Sequence, residues 1–569
     1  MLTYYYIAMN TLRLRTLAFF LTLFTMSQLG YADPPKDEVK INIDPQRGIR
    51  SIEYGDTEFL NNGQFKVLGA SLFDAATGKT DSPEVKSFEK KIDVAKNQVS
   101  YVYPWATYTC TYTPKGNELA LEVSVKNTSN LTLQSHTLNI MALRLPTPPE
   151  EYKGNNVMLA SNKGGLSIKP LTFQGGKIVL TNNDVKEDLL IGFPWANNRA
   201  KNTVFPLWIL TGKHPWLPTS LPYIDRPIAP GKTDTYHLSL RFGGEKDDPD
   251  QLASDVYETF SKTYPMQLNW EDRRPIGTLF LATANQKYPT NPRGWWNDKK
   301  INVTTPEGRA EFQKRVLAYA DQSIKILKDM NAQGMITWDI EGEESWHPNT
   351  YVGDPRLVKE LAPEMEEVAD AYFKKFTDAG FKVGVCLRPQ RLDLNAFRKG
   401  KPAQRELKTT DQLIDTKAVA DLLIDKISYA KDRWGCTLFY VDSNGDPNNP
   451  YDVEIFRRVL EAHPDVLVIP EHETLLYYAY TAPLISLQHA GQTSTPMNVR
   501  RIYPQAFTVN LSSTNKELES KRAALVNAVD NGDILTFNAW FTGPANEKIK
   551  NIYRTVSRSS KGVKRRVEE

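Results

Sequence analysis

Acids gather where apolar segments end. "FYVDSNGD" (439–446) runs from an apolar stretch straight into Asp442, "GMITWDIE" (334–341) ends in Asp339 and Glu341, and "DVLVIPE" (465–471) ends in Glu471, with Glu473 two residues on. Arg388 closes "FKVGVCLR" (381–388) in the same way. Carboxylates meeting in one cavity repel each other, so something must offset them. A bound cation with oxygen ligands, Ca²⁺ or Mg²⁺, is one offset. The other is proton sharing beside Arg388, which leaves one acid protonated next to an ionised partner, the division of labour that hydrolysis of a glycosidic bond uses. Each acid could also simply cap the following turn or helix.

The elements that would carry these residues alternate. Strands are expected at 275–282, 334–341, 381–388, 436–443, 465–471, 482–488, 506–512 and 533–539, with amphipathic helical patterns between most of them. Eight strand–helix units in this length match a (β/α)₈ barrel, whose strand C-termini form one active face. A doubly wound open sheet is the alternative, but neither GxGxxG nor a P-loop follows the first strand. Alternation on the second strand puts Thr337, Asp339 and Glu341 on one face, expected to look into the barrel, and Ile336, Trp338 and Ile340 on the other, toward the helices. On the fifth strand Glu471 and Glu473 share a parity, which turns His472 away from both.

From about residue 42 to 260 the rhythm is different. Stretches such as "ELALEVSVKN" and "TYHLSLRFGG" alternate with period two and are separated by Gly, Pro, Asn and Asp. They predict a β-sandwich. The expected organisation is a signal peptide at 1–32, a sandwich domain at 36–265, a catalytic barrel at 270–556 and a basic tail at 557–569. Arg13 and Arg15 before "TLAFFLTLFTM", then "GYA" before Asp33, have the form of a secretory signal cleaved after Ala32. The apolar run is too short to span a bilayer comfortably, so an exported protein, periplasmic or secreted, without an integral membrane anchor is expected.

Composition narrows the partners. The chain has 569 residues and a formal charge of +3, too weak an excess to argue for nucleic acid or an anionic membrane. Three cysteines cannot all pair, and none has metal-ligand spacing, so Cys110, Cys386 and Cys436 should be buried free thiols. Aromatic residues and polar neighbours stand in the loops expected at the active face: Trp295 and Trp296 after the first strand, Trp346 and His347 after the second, Asn538 and Trp540 at the eighth. Flat rings with polar neighbours suit the C–H faces and hydroxyls of a sugar, although the same tryptophans could pack on the rim. No G-x-S-x-G or H-E-x-x-H occurs, which weakens nucleophilic-serine and His-metal readings.

The segment "FYVDSNGD", with an aspartate after apolar residues and an asparagine two positions on, resembles the strand-4 nucleophile segment of the retaining α-galactosidases and related α-glucosidases. Their order of an N-terminal β-sandwich and a (β/α)₈ barrel also resembles this chain. The resemblance implies that Asp442 is the nucleophile. It breaks at strand 6, where those enzymes carry the general acid/base aspartate and "SLQHAGQTS" (486–494) has no carboxylate, and in the small extent of chain after strand 8. The expectation is a divergent glycoside hydrolase. Asp442 attacks the anomeric carbon or activates water, and its partner is Glu471, Glu473, Asp339 or Glu341, with Glu471 preferred as the acid. Arg388 would hold a carboxylate ionised or bind an acidic sugar. The substrate would be an oligo- or polysaccharide, with no cofactor expected and Ca²⁺ the alternative occupant; linkage and oligomeric state stay open. The alternatives are a non-catalytic carbohydrate-binding barrel and a cation-dependent hydrolase or lyase.

Overall fold

The computed structural model describes residues 38–567 except 64, 147–156, 161–165, 167, 195–196, 200–201, 213–223, 283–287, 343–351, 394–408, 411–414, 447–448, 487–491 and 512–514. The expected signal peptide, Trp346 and His347 lie outside the described residues.

The N-terminal region is antiparallel. Its long strands Ala106–Lys115, Glu118–Asn127 and Thr233–Gly244 pair side by side in one sheet, and Thr132–Leu145 pairs with Asn202–Thr211 in a second. One continuous apolar core, including Tyr108, Leu121, Val123, Leu138, Leu207 and Leu240, is contributed by both. The period-two alternation is the cause: in Glu118–Asn127, buried and more accessible residues alternate along most of the strand.

The C-terminal region holds eight parallel strands, here β1 (Ile276–Leu279), β2 (Gly334–Thr337), β3 (Lys382–Leu387), β4 (Cys436–Val441), β5 (Leu467–Pro470), β6 (Leu484–Ser486), β7 (Val509–Leu511) and β8 (Ile534–Asn538). Every one falls inside a stretch expected from the sequence. The hydrogen-bonded order is β5-β4-β3-β2-β1-β8-β7-β6, a barrel closed everywhere except between β5 and β6. There the Ala482 amide, just before β6, donates to the Val468 carbonyl of β5 at 3.1 Å.

Helices pack outside this sheet: α1 (Pro306–Asp329), α2 (Ala369–Asp378), α3 (Thr416–Trp434), α4 (Val453–Ala462), α5 (Arg522–Asp530) and α6 (Pro544–Val567). Local signals set their ends. Thr305 caps α1 by accepting the Gly308 amide at 3.1 Å, and Asp415 caps α3 by accepting Ala418 at 2.7 Å. Gly435, at φ +72°, ends α3 in the left-handed conformation that a glycine adopts without strain. Val419, Leu422, Leu423, Lys426, Ile427 and Ala430 form one buried stripe of α3, spaced i, i+3, i+4, i+7, i+8, i+11. The lysine in that stripe matters below. All three cysteines are free and buried, as expected. Among the described residues no helix is long and apolar enough to cross a membrane.

Candidate active site

Register decides which side chains share the barrel interior. Thr278 of β1 lies opposite Ile336 of β2, Ile336 opposite Gly384 of β3, and Cys386 opposite Tyr440 of β4. Two residues further along each strand, Phe280 stacks on Trp338 with ring centroids 5.4 Å apart, and Trp338 meets Tyr440 at 4.3 Å. Strands β2 and β4 are separated by β3, so these two rings meet across the interior, over the small Cys386. Trp540, beyond β8, completes the row against Phe280 at 5.2 Å.

This reverses the expected facing of the second strand. Trp338 looks into the barrel, while the Thr337 hydroxyl lies 3.0 Å from the Tyr372 hydroxyl on α2. Asp339 shares the outward side and is buried; its two oxygens accept the amides of Leu281 and Ala282 at 2.8 and 2.7 Å. Those amides leave the end of β1 and would otherwise be unsatisfied, so Asp339 fastens one strand end to the next. Glu341 is also behind the wall, 0% exposed, accepting the Asp354 amide at 2.6 Å. The convergence of five acids therefore does not occur. Parity misled because a strand of a parallel barrel is covered on both sides, and polar residues can satisfy themselves among the helices as well as in the mouth.

The mouth itself is built by the next layer. Asp442, Arg388 and Glu471 each follow a strand, and the ladder continues past them: Asp442 N–H donates to Leu387 O at 2.8 Å and Glu471 N–H to Val441 O at 3.0 Å. Arg388 directs both Nε (2.7 Å) and Nη2 (2.6 Å) to the same Asp442 oxygen, Oδ2. The two side chains are 14% and 13% exposed, so the pair is shielded yet reachable. On its other flank Asp442 is in hydrogen-bond contact with Glu471. Burial, followed by the charge and hydrogen bond of Asp442, raises the Glu471 carboxyl above its ordinary range, opposed by the Ser443 amide, which donates to Oε2 at 2.8 Å. That amide points there because Ser443 adopts φ +58°, an uncommon conformation for a residue with a side chain. Asn444 then binds the His472 backbone twice, accepting its N–H at 2.8 Å and donating to its carbonyl at 3.2 Å. The Asp-Ser-Asn run is thus a clamp that joins the ends of β4 and β5.

The remaining expected residues divide. Glu473 is held by the buried Tyr478 hydroxyl, and burial raises its carboxyl. His472, expected to point away from its neighbours, has Nε2 3.8 Å from Glu471 Oε2. Trp295 is fully buried and donates its indole N–H to Glu364 at 2.7 Å. Trp296 packs on the helix side, under the Arg315 guanidinium 4.7 Å from its ring. Neither opens on the mouth. Asn538 follows the inward parity, opposite Thr278. Among the described residues no group of three or more His, Cys, Asp or Glu is arranged to hold a metal ion.

Sequence reasoning missed Phe280, Trp338 and Tyr440 as the aromatic floor, and Asp354 and Lys426 behind the wall. The buried-stripe lysine of α3 was the available signal for the last: a charge at a core position of an amphipathic helix needs partners.

No family model matches the chain, and no curated protein matches it. Among solved structures it is similar to the α-N-acetylgalactosaminidase NagBb from Bifidobacterium bifidum, at 10% identity over 91% of this chain and 92% of that one, with a TM-score of 0.48. It is also similar to the galactosidase domain of the α-galactosidase–sucrose kinase AgaSK, at 12% identity over 92% and 84% of the two chains and a TM-score of 0.44. A third, the α-galactosidase AgaA from Geobacillus stearothermophilus in complex with raffinose, is 9% identical over 92% and 85%, with a TM-score of 0.37.

Proposed function

We propose that this chain is a glycoside hydrolase whose reacting pair is Asp442 and Glu471. The observation that carries the reading is the asymmetry of two touching carboxyls: Arg388 supplies the counter-charge to Asp442 at 2.6 Å, while burial favours the protonated form of Glu471. One acid is equipped to attack and the other to give a proton. Because both Arg388 nitrogens take Oδ2, Oδ1 is the attacking oxygen. It bonds to the anomeric carbon as the glycosidic C–O bond breaks, and the leaving oxygen takes the Glu471 proton. Water then displaces the sugar from Asp442, returning its proton to Glu471. The floor of Trp338, Phe280 and Trp540 offers apolar faces to the sugar ring.

Carboxyls in contact are nearer to the roughly 5–5.5 Å of retaining enzymes than to the roughly 6.5–9.5 Å of inverting ones, and a bound sugar would widen the gap. Retention is therefore expected. A panel of aryl glycosides and oligosaccharides, with the product anomer read by NMR, tests this; inverted product removes Asp442 from the nucleophile role. Asp442→Asn should keep its fold by circular dichroism and lose about a thousandfold or more in turnover.

The same contact favours a second reading, a carbohydrate-binding barrel without turnover, because touching carboxyls leave no room for a glycosidic oxygen between them. Calorimetric binding of a panel sugar that is never hydrolysed would select it. The proposal includes export, on the strength of the basic and apolar pattern at 13–32.

A further inference from the structure

Behind the mouth lies a set of charges, buried at Lys426, Asp354 and Glu341, that the reaction above does not use. Lys426 projects from α3 with 0% exposure and spends its three donors on three carbonyls: Arg388 at 2.7 Å, Gln390 at 2.8 Å and Gly353 at 3.0 Å. Its counter-charge is Asp354, 3.5 Å away, which also takes a two-pronged contact from Arg356 at 2.8 and 2.8 Å. The Asp354 amide in turn holds Glu341 Oε1, and Glu341 Oε2 is buried without a hydrogen-bond partner among the described residues. Burial lowers Lys426 to about 8 and raises Glu341 to about 7.

Burying an ammonium is costly unless its geometry is well satisfied, and removing one partner leaves the others stranded. What the arrangement secures is the exit of β3. The Arg388 amide donates to Gly353 O at 3.0 Å, so Gly353 O and Arg388 O, both ligands of Lys426, bracket the residue that grips Asp442. The approach is tight: Gly353 has φ +59°, and a Cβ there would stand 2.3 Å from the Arg388 nitrogen.

We propose that Lys426 is the positioning residue for Arg388, pinning the backbone on either side of it so that the guanidinium stays on Asp442 Oδ2. The proposal rests on the hydrolase reading only for its kinetic consequence. Arg388 is the cation facing Asp442, with Glu471, His472 and Tyr440 the titratable groups beside it; Lys426 faces Asp354, Arg356 and Glu341.

Lys426→Met, which fills the space without the charge, should lower kcat about tenfold to a hundredfold with KM little changed, the size of effect that a small misplacement of reacting groups produces. A lysine that merely stabilised the fold would not move the balance of kcat and KM. Lys426→Gln retains two amide donors and should show the same changes to a lesser degree. Crystal structures of both variants supply the readout independent of turnover: the Arg388–Asp442 contacts should lengthen from 2.6–2.7 Å. Contacts unchanged in either folded variant, with kcat also unchanged, overturn the proposal. A wild-type protein that hydrolyses nothing sinks the hydrolase reading, and the two crystal structures still decide the role of Lys426.

Discussion

Two sets of charges face each other through the wall between β2, β3 and α3. In the mouth, Arg388, Asp442 and Glu471 are shielded but reachable, and Glu471 is 34% exposed. Behind the wall, Glu341 and Lys426 are 0% exposed and locked to backbone atoms. Both sets join acids to bases, yet only the first can meet a substrate. Residue type gives the capacity for acid–base chemistry; access and the number of spare lone pairs decide whether it is used. Asp339 is the clearest case. It is an acid at a barrel strand end whose oxygens hold two backbone amides, which makes it a strut.

That contrast can be broken. Asp339→Asn replaces one acceptor with a donor that faces a backbone N–H, so unfolding should become easier by about 1–3 kcal/mol, the cost of stranding a buried donor. Turnover per folded molecule should stay as in the wild type. A large loss of turnover at unchanged stability in chemical denaturation would return Asp339 to the chemistry.

On the mouth side, Trp338→Leu keeps an apolar side chain but removes the stack. A KM increase of at most about tenfold is expected, since a stacked aromatic contact contributes about 0.5–1.5 kcal/mol. Steady-state kinetics check it; an unchanged KM would mean that the floor packs against itself and leaves the sugar alone.

A further effect, dependent on pH, concerns Glu341. Its folded-state value, raised by burial from 4.5 to about 7, means that its favourable contribution is complete below about pH 4.5 and lost as pH rises through 7. Gln at 341 does not titrate, so the Tm of Glu341→Gln relative to wild type should climb between pH 4.5 and pH 7. A constant difference in thermal melts would show that the Glu341 carboxyl is solvated.

The strand–helix alternation was legible because short apolar runs ending in polar residues alternate with amphipathic helical patterns along the chain. The trio Arg388, Asp442 and Glu471 was legible for a related reason, since all three stand one step past a strand in neighbouring positions. Facing on β2 was not. Period two says which residues share a side but not which side is inside, and the polar set Thr337 and Asp339 found its partners on α2 and β1. Alignment across strands carried the missing information, because only the inward choice lets Trp338 reach both Phe280 and Tyr440. Lys426 was hidden by belonging to a helix, away from the strand ends where active residues were sought.

The gap between β5 and β6 has a mechanical consequence. Among the described residues strand β5 is laddered to β4, and one backbone bond, Ala482–Val468, bridges its other edge. Opening that seam frees β5 as a hinged leaf while the remaining seven strands keep their ladders. Glu471 rides on the end of that leaf, but the Ser443 and Asn444 bonds clamp it to the strand that carries Asp442, so opening the seam moves Glu471 relative to β6 and leaves the two carboxyls together.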